Sequence, residues 1–349
     1  MKKKVLLGMS GGVDSSVSAI LLQQQGYEVI GCTMELWEKN GENKSIEDAK
    51  KVCEKSNITH YVLNYKKEFK CNVIDNFINE YKNARTPNPC VECNKNIKFG
   101  ILLQKAKELE CEYVATGHYA RIEYSEEYNR YVLKKCKEEK KDQTYFLYSI
   151  PKEELKHILF PLQNYSSKQD TRRIARENGL QVSEKKDSQE ICFIPDNDYK
   201  KFLKENISEK VQKGNITLKT GEILGKHQGL INYTIGQRKG LGISYKEPLY
   251  VIDLNKEKNE VIVGTEKDLY SKKLYATNIN WLAFDSLNSQ IECYAKVRYR
   301  AKEAKAIICK ENGEIKVEFE EPQRAITPGQ SVVFYDKNGI VLGGGIIRK

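Results

Sequence analysis

Hydrophobic runs alternate with amphipathic stretches through the first half of the 349-residue chain. The pattern predicts a buried strand at residues 3–9 and three further strands at residues 27–34, 60–65 and 112–116. Helical periodicity predicts the elements around them, at residues 14–25, 45–57, 68–83 and 94–110. Ser45 begins a capping box, and Thr86-Pro87-Asn88-Pro89 should separate the last two helices. This alternation predicts a parallel sheet with helices on both faces.

The pattern changes from about Gly214 onward to short apolar–polar alternations broken by glycine. Such segments are typical of small β-barrels or sandwiches, and they lie at residues 220–224, 250–254, 261–264, 295–300, 316–320, 331–335 and 339–342. A break near residues 268–275 divides this tail in two. We therefore predict an α/β domain over residues 1–205 and two β domains over 206–270 and 271–349.

Composition and charge narrow the class of protein. Hydrophobic residues make up 40% of the chain, enough for packed cores, and no apolar run approaches the roughly 20 residues of a membrane span. We see no secretory signal, so we expect a cytoplasmic protein with no membrane partner and with ten cysteines that stay reduced. The 58 Lys and Arg against 48 Asp and Glu give a net charge of +10, which favours a polyanionic partner without identifying it.

The string SGGVDSS, residues 10–16, lies between the first predicted strand and the first predicted helix. Glycine lets the backbone approach an anion, and the N–H groups and positive dipole end of a helix start can hold that anion. A Walker loop would read GxxxxGK(S/T) and use its lysine on the outer phosphates, and this string has no lysine. A tight strand–helix turn would also use two glycines. The full string after a buried strand favours a phosphate-binding loop of another kind.

Three of the ten cysteines lie in unusual settings. Cys90 and Cys93 lie in TPNPCVECNKNIKF, and Cys93 immediately precedes a predicted helix whose dipole should lower the pKa of its thiol. Cys192 lies in KKDSQEICFIP, near Lys185 and Lys186. A single Cys-x-x-Cys pair is a weak zinc signal. The other cysteines are predicted to be small buried hydrophobes, at positions 32, 53, 71, 111, 136, 293 and 309.

Several separated strings occur in order along the chain: GMSGGVDSS, GCTMELW, RTPNPCVECNKNIKF, ATGHYAR, KDQTYFLY, KKDSQEICFIP, YTIGQRKGLGI and KVRYRAK. Together they resemble the bacterial tRNA-specific 2-thiouridylases over nearly the whole length. The first string also resembles the signature of the PP-loop ATP pyrophosphatases, which cleave ATP between its α and β phosphates. The resemblance implies a Rossmann-like PP-loop α/β catalytic domain, then two small β-rich domains, the last a β-barrel that binds tRNA.

The resemblance also implies an activity. The family converts the wobble uridine, position 34, of certain tRNAs to 2-thiouridine, which would make this chain a tRNA-uridine 2-sulfurtransferase. ATP with Mg²⁺ would adenylate the uridine O2, and a protein persulfide would supply sulfur, giving 2-thiouridine, AMP and pyrophosphate. The implied partners are the anticodon stem-loop of tRNA, with Lys, Glu and Gln tRNAs as family substrates, and a sulfur-donating cysteine desulfurase or relay protein.

Site residues follow from the resemblance by position. Cys93 matches the family's nucleophile and Cys192 the cysteine that carries the persulfide, and the two would end the cycle as a disulfide. The positions that match nucleotide contacts are Gly8, Met9, Ser10, Gly11, Gly12, Val13, Asp14, Ser15, Met34 and Gly117. The positions that match tRNA contacts are Asn88, Pro89, His118, Lys141, Asp142, Gln143, Arg298, Tyr299 and Gln330. Plain alternatives exist for three of these: a structural histidine at 118, a salt-bridge partner at 298 and a turn residue at 330.

Cys90 departs from the family pattern, because some relatives carry an aspartate there. Cys90, Cys93 and Cys192 could instead hold a 4Fe-4S cluster with one iron open to an exogenous sulfide. The persulfide route needs Cys192 to reach Cys93 from about a hundred residues away, so we expect a mobile segment there, with few apolar anchors. Pro195 and the charged run 184–187 fit such a segment.

Two other functions stay open from the sequence. One is another PP-loop synthetase, such as an argininosuccinate- or GMP-forming enzyme, which needs no paired thiols and carries no such β tail. The other is a non-catalytic RNA-binding protein with a degenerate nucleotide site, against which the intact glycine loop and both cysteines argue.

Overall fold

A parallel sheet organises the first half of the molecule. The computed structural model describes residues 2–37, 44–165, 167–184, 191–194, 198–208 and 211–348. The strands of this half are β1 (Lys4–Gly8), β2 (Glu28–Glu35), β3 (Thr59–Asn64), β4 (Tyr113–Ala115), β5 (Arg121–Ser125), β6 (Arg130–Lys134) and β7 (Ile158–Leu159). Within the described ranges, β3, β2, β1, β4 and β7 lie side by side in that order and all run parallel. The strands β5 and β6 form a separate antiparallel hairpin.

Helices cover both faces of this sheet. They are α1 (Val13–Gln24), α2 (Lys44–Lys55), α3 (Lys66–Phe69), α4 (Asp75–Lys82), α5 (Pro89–Glu92), α6 (Leu102–Glu108), α7 (Lys168–Glu177) and α8 (Tyr199–Asn206). Successive strand residues face opposite sides, so Val5 and Leu7 enter one core with α1, α2 and α7, while Leu6 enters another with α6. The predicted α/β fold class is confirmed. The two-residue strand β7 was missed because so short a run carries no periodic signal.

Two π-helical stretches interrupt the helices near the candidate site. Lys70–Ile74 joins α3 to α4, and Cys93–Ile101 joins α5 to α6. The helix predicted to begin at residue 94 therefore begins at Pro89, whose missing N–H is not needed in a first turn. The capping box predicted at Ser45 is wrong, because Ser45 lies inside α2, which already includes Lys44.

The central β domain is a small mixed sheet. Its strands are β8 (Gly214–Leu218), β9 (Ile223–His227), β10 (Tyr250–Asn255) and β11 (Glu260–Gly264), in the order β10-β11-β8-β9. Ile216, Val251 and Val261 are fully buried at its centre. The segment predicted as a strand at 220–224 is mostly a turn, with Gly221 at φ 97°, and β9 starts only at Ile223.

The last domain is a closed six-stranded barrel, built from residues 270–348, all of which are described. Its strands are β12 (Tyr270–Trp281), β13 (Ile291–Lys296), β14 (Ala304–Glu311), β15 (Glu314–Arg324), β16 (Ser331–Tyr335) and β17 (Val341–Arg348). They close in the order β12-β15-β14-β13-β16-β17, as the predicted barrel requires. The strand predicted at 295–300 ends at Lys296, and β12 was missed because its first four residues are all exposed.

The barrel and the first domain share one hydrophobic core. Val333, Tyr335 and Val341 from the barrel pack in the same cluster as Tyr145 and Tyr148 of the first domain. Hydrogen bonds reinforce this contact: the Asn280 amide donates to the carbonyl oxygens of residues 148 and 150, at 2.7 and 2.8 Å. The barrel is therefore part of the packing of the first domain.

Two further expectations can be compared with the fold. No helix among the described residues is long and apolar enough to cross a membrane. Of the seven cysteines predicted to be buried, Cys71 is exposed and Cys309 is half-buried, while the others are buried. Cys71 lies on the exposed side of a π-helical stretch that a regular helical period does not describe.

Candidate active site

The glycine loop turns the chain from β1 into α1. Gly11 has φ 66°, a left-handed conformation, and a side chain there would collide with the carbonyl oxygen of Ser45. Gly12 precedes the helix and carries no side chain that could cap its first N–H groups. The Ser15 hydroxyl folds back to the Gly12 carbonyl oxygen at 3.2 Å and receives the Ser10 backbone N–H at 3.2 Å. The loop thus presents backbone N–H groups at a helix start, as an anion site requires.

Asp14 is held from two directions. The Tyr119 hydroxyl donates to Oδ1 at 2.9 Å, and the Lys168 Nζ lies 3.2 Å from Oδ2. Gly117 packs directly on the same turn, because a Cβ there would lie 2.9 Å from the carbonyl carbon of Asp14 and from the Ser15 nitrogen. Met34, at the end of β2, packs against two cores and lies half-buried between the sheet and the cysteine region. The predicted nucleotide residues from 8 to 15 and Gly117 therefore form one continuous edge at the carboxyl ends of β1 and β4.

The loop before Cys90 is fixed by the barrel. The Gln330 amide donates to the carbonyl oxygens of Thr86 and Pro87, at 3.0 Å each, and the Thr86 N–H donates to the Pro328 carbonyl oxygen at 2.9 Å. Asn88 then ends the loop as the N-cap residue of α5, and Pro89 starts this helix. Gln330, predicted to contact tRNA or merely to occupy a turn, positions the segment that carries the cysteines.

Cys93 and Cys192 meet around one apolar cluster. Cys93 is buried with Phe69, Phe77 and Ile97. Phe193, next to Cys192, enters the same cluster, with ring centroids 5.7 Å from Phe69 and 5.5 Å from Phe77. The expectation of few apolar anchors is therefore wrong for residues 191–194. The structure does not describe the side chains of Lys185, Lys186 and Pro195, nor those of the charged run 184–187.

The three thiols are all held in the protonated form. Burial raises the pKa of Cys93 to about 11 and that of Cys192 to about 12, and it also raises the pKa of Cys90. Charge on Cys93 or Cys90 raises the pKa of Cys192 further, so the three sulfurs lie within electrostatic range of one another. Cys90 and Cys192 each keep an exposed side, yet the surrounding protein still desolvates their sulfurs. The predicted lowering of the Cys93 pKa is wrong, because Cys93 lies a full turn inside the helix, where burial outweighs the dipole.

Lys98 is a residue that the sequence reasoning missed. Its ammonium lowers the pKa of each of the three thiols, opposing their burial. A π-helix joins residues five apart, so the stretch that starts at Cys93 brings Lys98 to the end of the same turn. The Lys98 Nζ also lies 3.4 Å from Nε2 of His118. An α-helical period would have put Lys98 on a different face from Cys93, so the spacing of the two residues carried no signal of their proximity.

His118 is a half-buried, neutral side chain. Nε2 accepts from Lys98, and Nδ1 lies 2.7 Å from the Thr116 hydroxyl, to which the Nδ1–H can donate. Burial, assisted by the Lys98 charge, holds the pKa of His118 well below its usual range. The ring packs between Phe99 and Phe160. His118 thus borders the thiol region through Lys98, and its part in tRNA binding stays a prediction.

Other residues matched to tRNA contacts make internal bonds. The Lys141 ammonium lies 5.0 Å from the Tyr119 ring centroid, and the Gln143 side chain accepts from the Tyr119 N–H at 2.9 Å. Asp142 is buried and accepts hydrogen bonds from the Thr144 hydroxyl and the Cys136 N–H. Burial raises the pKa of the Asp142 carboxyl. This string therefore supports Tyr119, which in turn holds Asp14.

Arg298 and Tyr299 lie where the barrel meets the other domains. The Arg298 guanidinium donates to the carbonyl oxygens of Ile235, at 3.2 Å, and Ala325, at 2.7 Å, and also bonds the Thr327 hydroxyl. The Tyr299 ring packs 4.4 Å from the ring of Phe146 in the first domain. None of these Arg298 contacts is an ion pair, so they do not support the alternative that Arg298 is a salt-bridge partner.

The three cysteines do not form a metal-ligand set in this conformation. Among the described residues, which include all three, no group of three or more His, Cys, Asp or Glu side chains is arranged to hold a metal ion. All ten cysteines are free thiols. The arrangement suits thiol–disulfide chemistry between neighbouring sulfurs.

Comparison with known proteins agrees with this architecture. Family models match three consecutive parts of the chain: a tRNA methyl transferase HUP domain at residues 3–196, a tRNA methyl transferase PRC-barrel domain at 200–265 and an aminomethyltransferase β-barrel domain at 271–347. Full-length relatives named tRNA-specific 2-thiouridylase are 51% identical in Clostridium botulinum, covering 99% of this chain and 98% of the relative. One in Acetivibrio thermocellus is 50% identical, covering 99% of both.

Solved structures give weaker matches. The U34-tRNA thiolase of Methanococcus maripaludis with its 4Fe-4S cluster is 21% identical, covers 52% of this chain and 58% of its own, and has a TM-score of 0.36.

The parallel sheet, the glycine loop at the start of α1 and the appended β domains define a PP-loop α/β protein with neighbouring thiols beside its nucleotide edge. The identity of its full-length relatives then fixes the family: the chain belongs to the tRNA-specific 2-thiouridylases.

Proposed function

We propose that the protein uses ATP to convert the wobble uridine, position 34, of tRNA to 2-thiouridine. The single observation that carries this proposal is the meeting of Cys93 and Cys192 around one apolar cluster, in the domain that holds the glycine loop. Another PP-loop synthetase would not need this pair, and a non-catalytic RNA-binding protein would need neither the pair nor the loop.

The first step is adenylation. The uridine O2 attacks the α-phosphorus of ATP, the bond from that phosphorus to the α–β bridging oxygen breaks, and pyrophosphate leaves with the bonding electrons. Backbone N–H groups of residues 10–15 hold the anion. Asp14 is the carboxylate at the loop and can take part in holding the Mg²⁺ that accompanies ATP. The metal would supply positive charge to the phosphates.

The second step transfers sulfur. A donor loads Cys192 as a persulfide, and the Cys93 thiolate attacks the inner sulfur, which forms a Cys93–Cys192 disulfide and releases hydrosulfide. The hydrosulfide attacks C2 of the uridine, and AMP leaves with the former O2. An external dithiol then reduces the disulfide by two electrons. Because the pKa of Cys93 is about 11, its thiolate must be stabilised at this moment, and Lys98 is the cation that faces it.

The partners follow from the same chemistry. The protein takes the anticodon arm of tRNA at the cysteine edge, with Lys, Glu and Gln tRNAs as the substrates that the family suggests. A cysteine desulfurase or a relay protein delivers the sulfur to Cys192, whose side chain keeps an exposed face for this delivery. Barrel residues around Gln330 position the cysteine loop and support the tRNA.

The test is thiolation by the full-length protein. Purified protein, ATP, Mg²⁺, unmodified tRNA and a persulfide donor should yield 2-thiouridine on nucleoside mass spectrometry, with AMP and pyrophosphate in equal amounts. Asp14→Ala should stop AMP formation while the protein stays folded. ADP as the product would rule out the PP-loop chemistry.

A second mechanism, with the cluster on Cys90, Cys93 and Cys192, is tested by Cys90→Ser. The persulfide route predicts that iron-free Cys90→Ser protein thiolates tRNA at near wild-type rate, whereas Cys93→Ser and Cys192→Ser are inactive. If activity appears only in anaerobically reconstituted, iron-loaded protein and all three variants fail, the cluster mechanism replaces the persulfide one.

A further inference from the structure

The glycine loop has no lysine of its own, yet a lysine reaches it from another part of the fold. Lys168 is the first residue of α7, and its Nζ lies 3.2 Å from Oδ2 of Asp14, the second residue of α1. Both side chains are largely enclosed, with 22% and 27% of their surfaces exposed. The Lys168 ammonium therefore lies at the glycine loop, although Lys168 is far from the loop along the sequence.

The fold holds Lys168 in this place. Ser167 caps α7, because its hydroxyl oxygen accepts the N–H of Asp170 at 3.1 Å. Thr171 and Ala175, one and two turns further on, are fully buried, and Ala175 packs in the same core as Val17 of α1. Because α7 is anchored on α1 in this way, the start of α7 stays beside the start of α1.

The surroundings of the pair are basic. Lys140, Lys141 and Lys168 line one groove together with Ser167 and Gln169, and Glu138 is the acidic residue among them. Lys141 lies over the ring of Tyr119, whose hydroxyl bonds the other oxygen of Asp14. An isolated carboxylate beside a phosphate-binding loop would repel an entering polyphosphate. Lys168, which lies against the Asp14 carboxylate, offsets that repulsion directly.

We propose that Lys168 is the phosphate-binding lysine of this site, the counterpart of the lysine that the loop lacks. In the free protein it neutralises Asp14; when ATP enters, its ammonium turns to the β and γ phosphates and stays with the pyrophosphate. Lysine suits this role as a compact charge on a flexible stem. The turn also frees Asp14 to face the cation that accompanies ATP. This inference rests on the proposed function, because it needs pyrophosphate as leaving group.

The experiment uses the full-length protein and inorganic pyrophosphate as the probe. Calorimetric titration gives the pyrophosphate Kd, and AMP release with tRNA gives the KM for ATP. Lys168→Met should weaken pyrophosphate binding and raise the KM for ATP by about ten- to a hundredfold, the loss of one charge-assisted bond. Lys168→Arg should recover most of the affinity. Lys140→Met is the matched control, because it removes a cation from the same groove without touching Asp14.

The results distinguish phosphate binding by Lys168 from a structural ion pair and from a general effect of charge in the groove. A purely structural ion pair predicts that Lys168→Met lowers the Tm and leaves the pyrophosphate Kd of the folded protein unchanged, which would overturn the inference alone. A general effect of groove charge predicts equal losses in Lys140→Met and Lys168→Met, which also overturns it. A wild-type protein that binds no pyrophosphate and releases no AMP would overturn the proposed function itself.

Discussion

At the scale of single residues, the site places the Cys93 and Cys192 sulfurs in an environment that keeps them protonated and therefore unreactive. Burial raises the pKa of Cys93 and Cys192 to about 11 and about 12, so neither thiol is ionised to any extent at neutral pH in the free protein. Such sulfurs resist accidental oxidation, because the thiolate is the form that reacts. The Lys98 ammonium is the local feature that favours the thiolates, and its position decides how readily they form.

Removing the Lys98 charge should therefore slow thiol chemistry. Lys98→Met raises the pKa of Cys192 further, because the charge that lowers it is gone. Alkylation of Cys192 by iodoacetamide should therefore be slower, by about threefold to thirtyfold, at each pH between 8 and 11. Peptide mass spectrometry after quenched labelling measures the rate.

The controls for this prediction lie on the same helix. Lys98→Arg keeps the charge and should restore the rate, whereas Lys95→Met removes an exposed lysine three residues away and should change nothing. Equal alkylation rates in wild type and Lys98→Met would show that Lys98 does not govern the thiols.

At the scale of elements, backbone contacts between segments shape the nucleotide edge. The turn after β4 lies against the first turn of α1, and Gly117 makes this approach possible. Backbone atoms cannot move aside as the end of a side chain can, so any side chain at this position forces the loop out of place.

Gly117→Ala tests this contact. The added methyl would lie 2.9 Å from backbone atoms of Asp14 and Ser15, so we expect the free energy of unfolding to fall by about 1–3 kcal/mol. The KM for ATP should rise as α1 shifts. Denaturant unfolding and ATP titration measure the two effects. Gly225→Ala is the control, because its methyl meets only the end of the Ile243 side chain at 3.1 Å. A Gly117→Ala protein as stable and as ATP-competent as Gly225→Ala would disprove the contact's importance.

The sequence predicted the alternation of strands and helices up to β4 and much of the barrel, but it missed several further elements, namely β5, β6, α7, α8, β8 and β14. β1, β2 and β4 follow from apolar runs that the fold buries, whereas β3 was predicted although none of its side chains is fully buried. β16 was predicted at its observed bounds of Ser331 and Tyr335. Lys98 and Lys168 could not be predicted, since one depends on a π-helical turn and the other on how α7 packs on α1. The thiol pKa was predicted with the wrong sign, because burial is a tertiary property that the local string does not contain.

At the scale of the whole molecule, the three domains are joined by interior contacts. Arg298 bonds the Ile235 carbonyl oxygen of the central domain, and Gln330 bonds the loop before Cys90. Leu282, Val333, Tyr335 and Val341 of the barrel complete the core around Tyr145 and Tyr148. The position of the barrel is therefore coupled to the position of the loop before Cys90 and of the thiols that follow it.

Truncation before the barrel should destabilise the first domain. A chain ending at Leu269 loses four buried barrel side chains from the shared core, each contributing about 1.5–3 kcal/mol. That loss is comparable with the roughly 5–15 kcal/mol that keeps a whole domain folded. We expect loss of cooperative thermal unfolding and of ATP binding. A truncated chain that unfolds with the wild-type Tm and binds ATP would show that the first domain is independent.

The net charge of +10 predicts how the whole molecule binds tRNA. Neutralising phosphates with Lys and Arg releases counterions, so the affinity should fall steeply with salt, by about 0.7–0.9 in log–log slope per phosphate contact. Filter binding of unmodified tRNA between 50 and 300 mM KCl measures the slope. ATP binding in the same buffers is the control. An affinity that does not change with salt would refute the electrostatic contribution.

The shared core also sets an order of events while the ribosome makes the chain. Translation adds roughly 5–20 residues per second, so Tyr145 is polymerised roughly 10–40 seconds before Tyr335, which must cover its neighbourhood. Until then the barrel side chains that complete the shared core have not been synthesised. The apolar surface that they would cover is exposed to chaperones and to other nascent chains. The last strands to be translated are the ones that complete the core of the first domain. We therefore expect a prematurely terminated chain that lacks them to have no activity.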